Sequence, residues 1–339
     1  MLIVLKQGAN NAQINAFLDL LRIEYGLKFK LTEKNNRKLV MLLGKDFKKI
    51  DMNLLLSFDC VDYVNESDED VRLVDKTFND QNTVIKVGDK VIGEANFCVI
   101  GGPCSVESEE QIYHIADKMK SVGVKFLRGG AFKPRTSPYS FQGLGKKGLE
   151  LLLNVKRLTG LCVVTELVDL KYLDLFSDVD IIQVGARNMQ NFEMLKELGK
   201  CQKPILLKRG ISSTIHEWLM SAEYILSGGN ANVILCERGI RTYETFTRNT
   251  LDISAVSIIK EISHLPIVVD PSHAAGVKWL VEPLSKAAIA AGADGVMVEV
   301  HDCPAEALSD GNQALDLDEF GDFIDSIKPF VHVANKKML

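Results

Sequence analysis

Two sets of side chains in this 339-residue chain are of types that could do chemistry. The first is cationic: Arg128, Lys133, Arg135, Arg187, Lys208 and Arg238. Arginine presents a planar fork that matches phosphate or carboxylate, and lysine a point charge or a proton. Any one of them alone reads equally well as an exposed or paired surface cation. Six together, in a chain of net charge −5, point to a strongly anionic ligand with more than one phosphate or carboxylate. The second set is Cys104, His273, Glu299 and Asp310: one thiol, one imidazole and two carboxylates. Mixed S/N/O donors suit a borderline divalent ion such as Mn, Fe, Co or Zn better than Mg or Ca. No local spacing announces such a site. Cys104 also reads as a small buried residue in a tight turn, His273 as a capping histidine, and Asp310, within Ser309-Asp310-Gly311, as a turn former.

The elements that must position these groups are short apolar runs. There are eight: Phe97–Ile100, Val124–Leu127, Leu161–Val164, Ile181–Val184, Ile205–Leu207, Val233–Cys236, Ile267–Val269 and Val296–Val298. Amphipathic stretches of helical length lie between them, such as Gln111–Val122 with Ile112, Ile115, Met119 and Val122 on one face. Near-continuous apolar strands alternating with helices predict a parallel sheet covered on both sides. A doubly wound sheet and a (β/α)8 barrel both satisfy that pattern. The placement of polar residues decides between them. Cys104 follows the first run, Arg128 the second, Glu166 the third and Arg187 the fourth. Lys208 and Arg209 close the fifth, Glu237 and Arg238 the sixth, Asp270 and His273 the seventh, Glu299 and His301 the eighth. An open sheet concentrates its site at one switch point, whereas a barrel gathers all eight strand ends on one rim. Residues 96–339 are therefore expected to form a (β/α)8 TIM barrel.

Upstream, residues 1–67 read as a smaller α+β unit. Leu2–Lys6, Leu27–Leu31, Lys38–Leu43 and Cys60–Val64 are strand-like, and Asn10–Tyr25 and Phe47–Leu56 have helical spacing. The order βαββαβ is the ferredoxin-like pattern. Residues 68–95, entered through the acidic stretch Asn65–Asp70, are expected to be a linker with short strands and carry no legible chemistry. Gly143-Leu144-Gly145-Lys146-Lys147-Gly148 satisfies the dinucleotide pattern G-x-G-x-x-G, but Pro134 and Pro138 stand where a strand must precede it. It is read as a loop leading into a helix.

Composition narrows the function classes. With 46% hydrophobic and 25% charged residues the chain is an ordinary globular one. The longest apolar run is five residues (Leu39–Leu43), so no membrane span is expected, and the first residues lack the form of a secretory signal. An acidic balance without basic tracts argues against nucleic acid. Seven scattered cysteines without C-x-x-C pairing suit reduced thiols, hence a cytoplasmic setting.

Five segments carry a family resemblance: Gly102-Pro103-Cys104-Ser105-Val106-Glu107, Leu127–Ser137 with its Lys133-Pro134-Arg135-Thr136 core, Gly185-Ala186-Arg187-Asn188, Leu207-Lys208-Arg209-Gly210 and Asp270-Pro271-Ser272-His273. Together they closely resemble the type Iβ branch of the 3-deoxy-D-arabino-heptulosonate 7-phosphate (DAHP) synthases. The resemblance covers the whole expected barrel, and the N-terminal unit is similar, more loosely, to that branch's regulatory domain. It departs at Gly101, where the family often has Ala, and at Ala274-Ala275, where Ser-Gly is common. The resemblance implies a metal-dependent transferase that condenses phosphoenolpyruvate with erythrose 4-phosphate and opens the shikimate route to aromatic amino acids. It implies metal ligation by Cys104, His273, Glu299 and Asp310, and phosphoenolpyruvate binding by Arg128, Lys133, Arg187, Lys208 and Arg238. Arg135 and Thr136 fall at the sugar phosphate. Lys133 is the expected proton donor and Glu166 the group that orients or activates water. It further implies a homotetramer and an aromatic amino acid effector. Two other readings are weighed against it. A 3-deoxy-D-manno-octulosonate 8-phosphate synthase characteristically has Lys-Ala-Asn-Arg-Ser where this chain has Lys133-Pro134-Arg135-Thr136-Ser137, and a non-catalytic amino acid sensor should have lost the ligand set.

Overall fold

The computed structural model describes residues 2–34, 37–43, 50–65, 73–79, 81–134 and 137–339. The chain divides into two compact units, Met1–Asp80 and Gln81–Leu339.

In the first unit, strands β1 (Leu2–Leu5), β2 (Lys28–Lys34), β3 (Arg37–Leu43) and β4 (Val61–Asn65) form one sheet in the order β2-β3-β1-β4, every pairing antiparallel. Helix α1 (Asn11–Ile23) starts at a capping box in which Asn10 and Gln13 bond each other's backbone. Its buried face, Ile14, Phe17 and Leu21, has the spacing of a single helical stripe and packs with Ile3, Leu5, Val40 and Leu42 of the sheet. Helix α2 (Met52–Leu56) is capped by Asp51, and the first residues expected in it, 47–49, lie outside the described residues. The strand order and alternation with two helices are those of the ferredoxin-like pattern.

In the second unit, β7 (Asn96–Gly102), β8 (Phe126–Arg128), β9 (Cys162–Glu166), β10 (Ile181–Val184), β11 (Ile205–Lys208), β12 (Val233–Glu237), β13 (Ile267–Val269) and β14 (Gly295–Glu299) pair in sequence order, all parallel. The pairing of β14 with β7 closes the barrel. Closure brings the backbones of β7 and β8 so near that a Cβ on Gly102 (φ +143°) would sit 2.0 Å from the Arg128 carbonyl oxygen, so only glycine fits there. Helices α3 (Glu109–Ser121), α4 (Lys146–Thr159), α5 (Phe192–Lys200), α6 (Ile215–Ser227), α7 (Ser254–Ile262), α9 (Val281–Ala290) and α10 (Leu317–Val333) connect or follow the strands, with α8 (Pro271–Ala275) a short turn at the mouth. One link departs from the expected alternation. Between β9 and β10 the chain makes a 3-10 helix, Leu170–Phe176, in place of an α-helix. No helix among the described residues is long and apolar enough to cross a membrane.

Part of the expected linker is structural. Val74 is fully buried, and Lys30 Nζ lies 3.6 Å from the centroid of the Phe78 ring, so residues 73–79 complete the first unit. Strands β5 (Ile85–Val87) and β6 (Lys90–Ile92) form an antiparallel hairpin belonging to the second. Ile85, Val87 and Ile92 join Cys98, Ile100, Phe126, Cys162 and Val164 in one apolar cluster, so the hairpin is the floor of the barrel at the end where its strands begin. The last strand, β15 (Lys337–Met338), runs beside β7 at that same end.

Candidate active site

At the opposite end five of the eight strands finish on a charged residue. Parallel pairing delivers Arg128, Glu166, Lys208, Glu237 and Glu299 to one rim as the terminal residues of β8, β9, β11, β12 and β14. Burying such groups is costly unless they are paired, and the pairing is extensive. Arg128 Nη1 donates to Glu299 Oε1 at 2.8 Å and to the Pro103 carbonyl at 2.9 Å. Lys208 Nζ donates to Asp270 Oδ2 at 2.5 Å. Asp270 also caps α8, its Oδ1 accepting the His273 N–H at 2.9 Å, while its Oδ2 lies 2.7 Å from His273 Nδ1. The other imidazole nitrogen, Nε2, faces Glu299 Oε1 at 3.1 Å. From the loop after β14, Asp310 Oδ2 lies 3.2 Å from Cys104 Sγ, and its Oδ1 accepts from Arg248 Nη2 at 2.9 Å.

The four donors named from the sequence thus converge. One ligand atom each from Cys104, His273, Glu299 and Asp310 lie within 4.8 Å of one another. Their electrostatics fit a cation. Burial, reinforced by Glu299, pushes the Cys104 thiol up to about 11, while burial holds the His273 imidazole below its ordinary value. Burial alone would raise Asp310, but the Arg248 and His273 charges outweigh it and hold the carboxyl well below the usual aspartate range. A dication among these donors supplies the charge that favours thiolate and carboxylates together.

Beside them opens a cavity of about 500 Å³ lined by Arg128, Lys133, Glu166, Arg187, Lys208 and Arg238, with His273 and Asp310 on its wall. Lys133 Nζ sits 3.0 Å from both the sulfur and the carbonyl oxygen of Cys104. Burial alone would lower its ammonium; the Cys104 sulfur outweighs that and the net direction is upward. Glu166 accepts from Gln183 Nε2 at 3.0 Å and leans across Gly185, where a Cβ would meet its Oε1 at 2.1 Å. Pairing is incomplete at Arg238, as it is at His273 Nδ1 and Gln313 Oε1. Arg238 Nη2 donates to the His273 carbonyl at 3.3 Å, but the buried Nη1 has no hydrogen-bond partner among the described residues. Arg238 lines the cavity, and a guanidinium with an unpartnered nitrogen suits an anion bound there. Arg135 and Thr136 lie outside the described residues.

Sequence reasoning placed Asp270 on the rim without a role and missed other participants. Asp270 bridges Lys208 and His273, Gln183 steadies Glu166, and Arg241, Arg248 and Asn249 add polar lining from the β12–α7 loop. Asp270 was visible within its motif and Gln183 as a polar residue inside an apolar run. The loop arginines carried no local signal.

Comparison with known proteins agrees with this geometry. Residues 76–330 match the model of the DAHP synthetase I family. A phospho-2-dehydro-3-deoxyheptonate aldolase of Thermotoga maritima is 48% identical over 339 residues, covering 100% of both chains. A crystal structure of a Thermotoga maritima protein of that name, also titled DAHP synthase, is similar with a TM-score of 0.80 at 47% identity, covering 100% of this chain and 99% of that one. A 2-dehydro-3-deoxyphosphooctonate aldolase of Francisella philomiragia is 30% identical over 75% of this chain and 98% of its own length. With the family match running through the barrel and an end-to-end relative near half identity, the chain belongs to the DAHP synthetase I family.

Proposed function

We propose that the mouth cavity condenses phosphoenolpyruvate with erythrose 4-phosphate to give DAHP and inorganic phosphate, and that Cys104, His273, Glu299 and Asp310 hold one divalent ion, Mn, Fe, Co or Zn, beside it. The observation that carries this reading is the meeting of four ligand atoms within 4.8 Å of one another at the wall of a cation-lined cavity. Such an ion, when bound, supplies Lewis-acid polarisation of a carbonyl oxygen. The chain's own residues do the rest. Arg128, Arg187, Lys208 and Arg238, all on the cavity lining, bind the carboxylate and phosphate of phosphoenolpyruvate. Arg135 and Thr136 take the phosphate of the aldose, which fixes the two substrates at reacting distance. C3 of the enol phosphate then forms a bond to the aldehyde carbon. Lys133 delivers a proton to the alkoxide that develops there. Glu166 orients the water that adds to C2, and collapse of that adduct breaks the C–O bond to phosphate and leaves the ketone.

The decisive experiment measures phosphate release with phosphoenolpyruvate and either erythrose 4-phosphate or arabinose 5-phosphate. Turnover with the four-carbon aldose alone is expected; turnover with arabinose 5-phosphate alone would move the chain to the octulosonate branch. The resemblance also supports a tetramer and an aromatic amino acid effector acting through residues 1–80. The seven free cysteines support a reducing cytoplasm. Removal of residues 1–80 is expected to abolish inhibition by tyrosine or phenylalanine while sparing turnover. A full-length enzyme indifferent to both amino acids would end the regulatory reading.

A further inference from the structure

Cys104 and Asp310 come from irregular loops 206 residues apart, one after β7 and one after β14. Asp310 has φ +57°, in the left-handed region that a non-glycine residue keeps only where its surroundings enforce it. Two loops of this kind need a fastening to hold sulfur and carboxylate 3.2 Å apart. Cys104 Sγ meets Ser309 Oγ at 3.2 Å and Arg248 holds Asp310, and a further link between the loops is Glu107. Its Oε1 accepts from Ser105 Oγ at 3.1 Å, next in sequence to Cys104, and from the Leu308 N–H at 3.0 Å, two residues before Asp310. Its Oε2 lies 3.4 Å from His301 Nε2, on the strand side of the same loop. Gln111 holds Glu107 in turn: its Oε1 accepts the Glu107 N–H at 3.0 Å and its Nε2 donates to the Ser105 carbonyl at 3.2 Å. Gln111 and His301 are buried, the Glu107 side chain is 11% exposed, and none of the three lines the cavity.

We propose that Glu107 is a positioning residue for the divalent-ion site, pinning the two loops so that Cys104 and Asp310 stay at ligating distance. The proposal rests on reading the four donors as that site. A carboxylate suits the task because one oxygen can accept from both loops at once, and charge-assisted bonds are about twice as strong as neutral ones. Alanine leaves the Ser105 hydroxyl and the Leu308 N–H without their partner, so the loops drift and the ligands lose their register.

The test is titration of metal-free full-length protein with Co²⁺, followed by thiolate-to-cobalt charge-transfer absorption. Parent, Glu107→Ala, Glu107→Gln and Cys104→Ala are compared, with Tm of each metal-free form and KM for phosphoenolpyruvate at saturating Co²⁺. Glu107→Ala is expected to weaken Co²⁺ binding about 10–100-fold, the range typical of groups supporting metal ligands, with KM for phosphoenolpyruvate unchanged. Glu107→Gln, which keeps shape but loses charge, is expected to weaken it less. Parental affinity and absorption in Glu107→Ala overturn the proposal, including the case where only Tm falls. If that variant does not fold, Glu107→Gln decides: weakened binding supports the proposal and parental binding overturns it. A parent that binds no Co²⁺, or a Cys104→Ala variant that binds it like the parent, removes the four-donor site itself.

Discussion

The two ends of the barrel both bury charge, and they handle it differently. Near the floor, Asp294 is fully buried and fully satisfied: it accepts from Lys260 at 3.0 and 3.1 Å, from Lys336 at 2.6 Å and from the Ile267 N–H at 2.9 Å. At that end the hairpin residues Ile85, Val87 and Ile92 pack against barrel-strand residues. At the mouth, Glu237, Asp270 and Glu299 are just as buried, yet Arg238 Nη1 has no partner among the described residues, and four ligand atoms of metal-binding types lie within 4.8 Å of one another. The difference separates charge that holds a fold together from charge that waits for a ligand. Burial alone does not make that distinction; saturation does.

The largest expected effect tests the mouth. Cys104→Ala should lose the divalent ion and at least about a thousandfold in turnover, several kcal/mol at tenfold per 1.36 kcal/mol. Metal-free stability should fall only modestly, because Lys133 Nζ keeps the carbonyl of residue 104 and Asp310 keeps Arg248 when the sulfur's bonds are lost. Ion content by elemental analysis and phosphate release are read together, and a variant that keeps full turnover in chelator breaks the comparison. Next comes Lys208→Met, which strands the fully buried Asp270 carboxylate beside His273. Removing one partner of a buried pair costs about 3–5 kcal/mol, and phosphoenolpyruvate affinity should fall with it. The floor counterpart, Lys336→Met, leaves Asp294 with Lys260 and Ile267 and should cost far less in urea unfolding, with turnover untouched. Equal costs at the two ends would dissolve the contrast.

A third change probes the floor without charge. Ile92→Ala opens a cavity in the cluster shared with Ile100 and Phe126 and should cost about 2–4 kcal/mol, read as a lower urea midpoint. The turnover of the folded fraction should equal the parent's. A change in KM for phosphoenolpyruvate instead would mean that the hairpin shapes the mouth from the far end of the strands.

What was legible beforehand follows from how each feature is written in the chain. The eight barrel strands are buried on both faces, so each is a continuous apolar run. The rim residues could be named because parallel strands place every last residue on one side. Helix α1 was visible from Ile14, Phe17 and Leu21, although it ends at Ile23 rather than Tyr25. Short strands were expected in residues 68–95, but not their pairing as a hairpin on the barrel floor, because three-residue strands such as Ile85–Val87 carry too little pattern to fix a partner. The links between Cys104 and Asp310, or between Glu107 and Leu308, span 206 and 201 residues, and no local periodicity encodes them. Arg209 illustrates the same limit: it stood at a strand end beside Lys208, but nothing local said that it serves Glu237 and Asp252 rather than the cavity.

That last group gives the smallest expected effect and the sharpest version of the contrast, because it is charge at the mouth end that is fully partnered. Arg209 Nη1 donates to Glu237 Oε2 at 2.9 Å and to Asp252 Oδ2 at 2.8 Å, and its Nε donates to the Ser213 carbonyl at 3.0 Å. Asp252 also accepts from the Ser254 hydroxyl and from the Ala255 N–H. None of the three charged residues lines the cavity. If saturation marks structure, Asp252→Asn should cost only about 1 kcal/mol, the worth of a weakened hydrogen-bond set, with turnover unchanged. Burial alone would raise the Asp252 carboxyl, but its bonds to Arg209 and Ser254 outweigh that, so it titrates below its ordinary value of 3.8 in the folded chain. A depressed carboxyl adds stability above its unfolded value and loses it as pH falls through the folded one. The urea-midpoint gap between parent and variant should therefore be full near neutral pH and close progressively below about pH 4. A gap that widens on acidification reverses the sign. A gap joined by weaker phosphoenolpyruvate binding at pH 7 would instead place this network among the groups that wait for a ligand.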